Sequence, residues 1–242
     1  MSSISYLGKL TLFLLSLSVA SVRAQSVDEI ITKHIAAMGG AEKLALLNRL
    51  KMSATVEMMN TKMPVSTTIV QNKGFRTETM VQGKMIIQAV YGDKGWMINP
   101  LTGQDKATAL PEGAIKPLAS QTDLTGLYNY KEKGYTLTLD GEEDLLGAKV
   151  FKITTSMKNG VKQVSYISKD TFYILKVEAT VPVNGEQIKT ENIQSDFKQV
   201  DGITFPFSSE VSTSAIPGMK MVNKITRIEI NPKIDERIFV MP

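Results

Sequence analysis

Residues 173–181 read Tyr-Ile-Leu-Lys-Val-Glu-Ala-Thr-Val. Tyr173, Leu175, Val177, Ala179 and Val181 are apolar or aromatic, with Ile174, Lys176, Glu178 and Thr180 between them. A period of two is that of a β-strand with one side on a core or cavity and the other in water. Residues 161–168 form a second such run, and Lys169-Asp170-Thr171 is short enough to turn between the two. The spacing predicts a hairpin at the middle of a large antiparallel sheet. Further alternating runs fall at 52–59, 65–71, 75–81, 84–91, 96–99, 135–139, 148–155, 187–197, 203–207, 208–213 and 221–230. Between them stand Asn72-Lys73-Gly74, Gln82-Gly83, Asp93-Lys94-Gly95, Lys158-Asn159-Gly160, Asn184-Gly185 and Asp201-Gly202, residues suited to hairpin turns. Residues 100–113 read as a loop, and 115–130 carry a weak helical pattern. Turns at roughly ten-residue intervals predict about ten or eleven strands. A sheet that wide must curl or close.

Ahead of the strands lies an amphipathic helix. Ser26 and Glu29 form a capping box, and Val27, Ile30, Ile31, His34, Ile35 and Met38 share one helical face. Gly39-Gly40 stops it, and residues 41–50 resume as a second short helix. Lys9, the apolar run 10–19 and Val22-Arg23-Ala24 have the layout of a secretory signal peptide cleaved after Ala24. That apolar run is shorter than the roughly 20 residues of a spanning helix. Of the 242 residues, 1–24 are therefore expected to be signal peptide and 25–242 a single domain, since no repeat or linker interrupts them.

The signal segment carries two basic residues and no acid, so the net charge falls from +4 to +2 on its removal. No Lys/Arg stripe is present of the kind a phosphate backbone requires, and nucleic acid is not an expected partner. There is no cysteine, hence no disulfide, no thiol chemistry and no lipidated N-terminal cysteine. A soluble exported protein, monomeric and stabilised by its core, is expected.

No catalytic signature is present. His34, the single histidine, sits on the apolar helix stripe and reads as a buried ring with one hydrogen bond. A zinc site of the usual ligands lacks partners, and there is no Gly-x-Ser-x-Gly elbow. Glu142-Glu143-Asp144 after Asp140-Gly141 reads as a solvated turn. No catalytic residue, metal site or cofactor is assigned. Methionine is more informative: of 13, Met52, Met58, Met59, Met63, Met80, Met85 and Met97 crowd the early strands. Thioether side chains adapt to variable apolar ligands, although they also serve as core filler. The candidate ligand-contacting residues are Met58, Met63, Phe75, Met85, Trp96, Tyr173, Leu175 and Val177.

Several segments carry a resemblance: 39–44 (Gly-Gly-Ala-Glu-Lys-Leu), 91–100 (Tyr-Gly-Asp-Lys-Gly-Trp-Met-Ile-Asn-Pro), 166–171 (Tyr-Ile-Ser-Lys-Asp-Thr), 197–206 (Phe-Lys-Gln-Val-Asp-Gly-Ile-Thr-Phe-Pro) and 230–235 (Ile-Asn-Pro-Lys-Ile-Asp), then Phe239 and Pro242. With the secretory signal and first helix, they resemble the outer-membrane lipoprotein-sorting and carrier proteins (LolA-like) over nearly all of the mature chain. The resemblance implies a mainly β fold, a curved, unclosed antiparallel β-barrel with a helical lid over an apolar cavity for acyl chains. It also implies an inner-membrane donor, an outer-membrane acceptor and an arginine that controls the lid, for which Arg49 and Arg76 are candidates by type. The expected function is that of a soluble periplasmic carrier of lipoprotein or lipid acyl chains. The alternatives are an envelope sensor or interaction module on the same fold and, third, a hydrolase.

Overall fold

The structure, a computed structural model, describes residues 25–157, 161–183 and 186–242. The segment 1–24 and the turns at 158–160 and 184–185 lie outside the described residues.

Helix α1 (Val27–Ala37) begins at Ser26, whose Oγ accepts from the Glu29 backbone while the Glu29 carboxylate accepts from the Ser26 backbone. It ends at Gly39, at φ +123°, and the chain enters the five-residue helix α2 (Ala41–Ala45). The expected second helix stops there because β1 has already begun at Arg49. Thirteen strands follow: β1 (Arg49–Met58), β2 (Thr61–Val70), β3 (Gly74–Val81), β4 (Lys84–Tyr91), β5 (Lys94–Asn99), β6 (Gln104–Ala109), β7 (Thr136–Leu145), β8 (Ala148–Ser156), β9 (Lys162–Ser168), β10 (Ile174–Val183), β11 (Glu186–Val200), β12 (Ile203–Thr213) and β13 (Lys220–Ile230). Helix α3 (Glu112–Ala119) sits between β6 and β7.

The strands form one antiparallel sheet in the order β6-β5-β4-β3-β2-β1-β13-β12-β11-β10-β9-β8-β7. Two meanders are thus joined by the pairing of the first strand with the last, and β6 and β7 remain as edges. The sheet is a curved barrel that does not close. Two corrections to the sequence reading follow. The strand count is thirteen rather than ten or eleven, in part because the expected loop contains β6, an edge strand of Gln-Asp-Lys-Ala-Thr-Ala without apolar alternation. The sheet is also centred on the β1–β13 seam, not on the β9–β10 hairpin.

Cross-strand partners share a face, so the register divides the sheet into two sides. Leu50, Met52, Ala54, Val56 and Met58 of β1 face the helices, the side called concave below. Buried beneath α2 and α3 are Leu44, Leu47, Leu50, Ile69, Phe75, Val90, Leu110, Ile203 and Ile228. Beneath α1, Ile30 and Ile31 pack on Leu127, Phe151, Ile153 and Ile167. Under its helical cover the sheet is filled with side chains.

The C-terminus crosses the opposite, convex face of the sheet. There Phe239 is 1% exposed, in a 3-10 turn (Glu236–Phe239) lying over Gly74 and stacked on Tyr91. A Cβ on Gly74 would stand 3.1 Å from the Phe239 ring, a tight contact that would press on the strap. Glu142, Glu143 and Asp144 belong to β7 rather than to a turn, and pair with Lys169, Lys152 and Lys149. Alternation was hidden there because both faces of this edge strand carry charge.

Candidate functional site

Beyond the reach of the helices the concave face remains uncovered. Following partners across the sheet, one row reads Thr61, Met58, Met221, Val211, Asn192, Val177, Ser165, Ile153 and Leu139. A parallel row reads Met63, Val56, Asn223, Ser209 and Gln194. The β1 end is partly exposed, whereas Ser165 and Ile153 at the far end are fully buried below α1. The floor is therefore an oblique apolar strip, open at the β1–β2 hairpin and running up to the packed side chains beneath the helical cover. Ala54, Val65, Ile225 and Phe207 continue its apolar lining. At the open end Met59 and Asn60 both take positive φ (48° and 61°), the geometry of a two-residue type I′ hairpin.

Of the candidates named from sequence, the structure brings Met58, Met63 and Val177 onto this floor. Phe75 shares the concave face but is 5% exposed, buried beneath the cover. Trp96 and Met85 point the other way. Trp96 donates its Nε1–H to the Phe239 carbonyl at 2.8 Å, and Met85 pairs with Met80 on the convex surface. Tyr173 stacks on Phe197 with ring centroids 4.5 Å apart. Phe197 lies opposite Pro206, on the convex side from Phe205 and Phe207.

The reason Tyr173 and Val177 part company is a bulge. Ile174 pairs with Ile167 and Lys176 with Tyr166, leaving Leu175 as an extra residue. One inserted residue exchanges the faces on either side of it. Ile174, read as outward from sequence, therefore packs in the core under α1. The register also supplies floor residues that sequence reasoning missed: Val56, Met221, Val211 and Ile225. Val56 was legible in the alternation of β1. The others required knowing that the last strand pairs with the first.

Two clefts flank the helices. One of about 580 Å³ lies between α1 (Ile31, Ile35) and Leu127, Tyr128 and Tyr130. One of about 290 Å³ lies between α2 and Gln71, Tyr128 and Lys133. The connecting segment forming their rims is pinned by Asp123, which accepts from Lys133 Nζ at 2.7 Å. Burial pushes the Asp123 carboxyl up, but Lys133 and Thr125 together hold it below the ordinary carboxylate value.

His34 is 5% exposed, with Nδ1 2.8 Å from the Phe172 carbonyl. Burial lowers its pKa and the hydrogen bond to Phe172 offsets this only in part, so the ring is held neutral. Among the described residues, no three histidine, cysteine or acidic side chains are placed to hold a metal ion. Among the described residues, neither candidate arginine makes a hydrogen bond or ion pair to α1, α2 or α3. Arg76 bonds Glu78 and the Ile238 carbonyl, and Arg49 pairs with Glu236 at 3.6 Å, so both hold the C-terminal strap.

An unclosed antiparallel barrel with helices over part of its concave face is a LolA-like fold, and solved structures share it. The LolA superfamily protein of Nitrosomonas europaea matches at 12% identity and TM-score 0.58, over 90% of this chain and 98% of that one. A DUF1329 family protein from Desulfovibrio piger matches at 14% and 0.57, over 87% and 96%. A domain described as an outer membrane lipoprotein-sorting protein, from Vibrio parahaemolyticus, matches at 17% and 0.55, over 88% and 95%. Residues 75–241 match a family model described as "-like: Uncharacterized protein", and the chain belongs to that family. No curated protein matches it in sequence.

Proposed function

We propose that the protein is a non-enzymatic, monomeric carrier that shelters acyl chains of a lipid or lipoprotein in the concave trough. It acts in the periplasm, after removal of a signal peptide near Ala24, taking its cargo from an inner-membrane donor to an outer-membrane acceptor. The observation that carries this reading is the run Ala54, Val56, Met58, Met63, Met221, Val211 and Ile225, an apolar floor left partly exposed where the helices end. The lipoprotein-sorting description of one of the similar structures is consistent with it. Exposing an acyl chain to water costs about 0.8 kcal/mol per CH₂. A chain of about fifteen methylenes then faces roughly 12 kcal/mol, and crossing an aqueous space requires such a shelter.

The test is uptake of a fluorescent acyl probe by delipidated protein, together with native mass spectrometry of protein taken from its own envelope. Binding at micromolar concentration, weakened about tenfold or more by Val56→Asp or Met58→Glu, is expected. Absence of any acyl ligand in both measurements, with a membrane protein captured instead, would replace the carrier with a sensor on the same fold.

A further inference from the structure

Successive antiparallel strands reverse direction, so the β1–β2, β3–β4, β5–β6 and β12–β13 turns all stand at one end of the sheet. The eight strands they join are consecutive neighbours, which makes four adjacent hairpin tips along roughly 30–35 Å of curved rim. Each tip holds apolar side chains in water. Met59 is 74% exposed and Ile216 49%, and Met80, Met85 and Leu101 are exposed as well. The turns themselves, 59–63, 80–85, 100–103 and 214–220, contain Lys62, Lys84 and Lys220 and no acid. Lys84 donates to the Pro100 carbonyl at 3.2 Å, while Lys62 and Lys220 reach back to Glu57 and Glu210 on the strands, at 4.0 and 2.6 Å.

Exposed apolar side chains also occur toward the other end, at Leu46, Leu146, Val240 and Met241. The turns and the strap there carry Asp93, Asp170, Asp201, Asp235 and Glu236. The two ends thus differ in charge more than in hydrophobicity. Lone exposed apolar residues need no partner, but five on neighbouring tips, free of acid, mark an interaction surface. A protein partner requires a compact patch with a contiguous core, which tips spread along a curved rim do not offer. A lipid bilayer accepts separate apolar tips wherever they stand, and its phosphates suit the lysines between them. Ion pairs on an exposed surface are worth little, so Lys62 and Lys220 can exchange their carboxylates for lipid phosphates.

We propose that this rim docks on an anionic lipid bilayer, with Met59, Ile216 and their neighbours entering the headgroup layer and Lys62, Lys84 and Lys220 at its phosphates. The docking stands on the rim alone. Its consequence rests on the carrier reading. The apolar strip opens at the β1–β2 hairpin, so a docked protein presents its open end to the membrane. An acyl chain then passes between bilayer and floor without crossing water.

The experiment is co-flotation of cargo-free protein with protein-free vesicles of phosphatidylcholine, alone or mixed with phosphatidylglycerol. The protein used lacks residues 1–24, since the fold described lies wholly within 25–242. Wild type should float with the mixed vesicles, severalfold more tightly than with the neutral ones. The double variant Met59→Asp/Ile216→Asp should bind about tenfold or more weakly. Leu146→Asp, at the acidic end, should bind as wild type does. Unchanged Trp96 emission checks that both variants are folded. Because the chain has no cysteine, an environment-sensitive dye on Met59→Cys should shift to shorter wavelength on the mixed vesicles, and one on Leu146→Cys should not. No flotation, equal binding to the two lipids, or a double variant that binds no worse than Leu146→Asp would each overturn the inference. So would binding to native envelope membranes but not to protein-free vesicles, which would make a membrane protein the partner. Acyl-probe uptake in solution is scored separately. Uptake without flotation overturns the docking and leaves the carrier reading standing, whereas flotation without uptake does the reverse.

Discussion

His34 illustrates how a single residue sets a pH dependence. Held neutral by burial in the folded chain, it titrates at the usual imidazole value of about 6.5 once unfolded. Above that value neither state binds the proton, and the contribution of the ring to stability is fully present. As pH falls below it, the unfolded chain takes up a proton that the folded chain refuses, and stability is lost until the lowered folded value is reached. Denaturant midpoints should therefore drop between pH 7.5 and pH 5.5, and the drop should be smaller in His34→Phe than in wild type. An equal slope in the two proteins would contradict this. Gly39 gives a second case at this scale. Its φ is +123°, and an added Cβ would meet the Gly202 carbonyl oxygen at the start of β12. Gly39→Ala should cost about 2 kcal/mol or more by thermal or chemical melting. Sequence announced Gly39 as a helix stop. Its contact with Gly202 could not be read, because it depends on α1 ending against a turn late in the chain.

Among the elements, the C-terminal strap is where reading from sequence and the observed fold differ most. Trp96 alternates correctly within β5, yet alternation does not say which face is the concave one. That is decided by the 3-10 turn at Glu236–Phe239, which crosses the convex side and receives the indole N–H. Because Trp96 is the sole tryptophan, its emission reports on the strap directly. Removing residues 236–242 should shift the emission to longer wavelength and cost several kcal/mol, since Phe239 is almost fully buried. An unshifted spectrum would mean that the indole is shielded by something else. Helix α1 was legible in full, cap and apolar stripe alike, because both signals are local. The strand bulge at Leu175 was not, since an extra residue is visible only against a partner strand.

For the whole molecule, a wide antiparallel sheet that must curl or close followed from turn spacing and sheet width, its unclosed form came from the family resemblance, and the position of the trough came from neither. The floor is assembled from β1, β2, β10, β11, β12 and β13; the turns Asn184-Gly185 and Asp201-Gly202 announced neighbours among the later strands, but nothing local announced that β13 pairs with β1. Because binding selects the folded state, an acyl ligand at a hundredfold excess over its Kd should stabilise the protein by about 2.7 kcal/mol. For a chain of this size that is a rise in melting temperature of roughly 5–10 °C. A ligand that binds without moving the melting temperature would be attaching to unfolded chain as well. The pairing of β1 with β13 has a consequence in time as well as in space. Until residues 220–230 are made, β1 lacks one of its two neighbours and the two meanders cannot be stitched together. Contacts this distant along the chain are late and slow to form. In the exported carrier proposed above, such a zip would keep the polypeptide threadable until its last tooth arrives with the final strand.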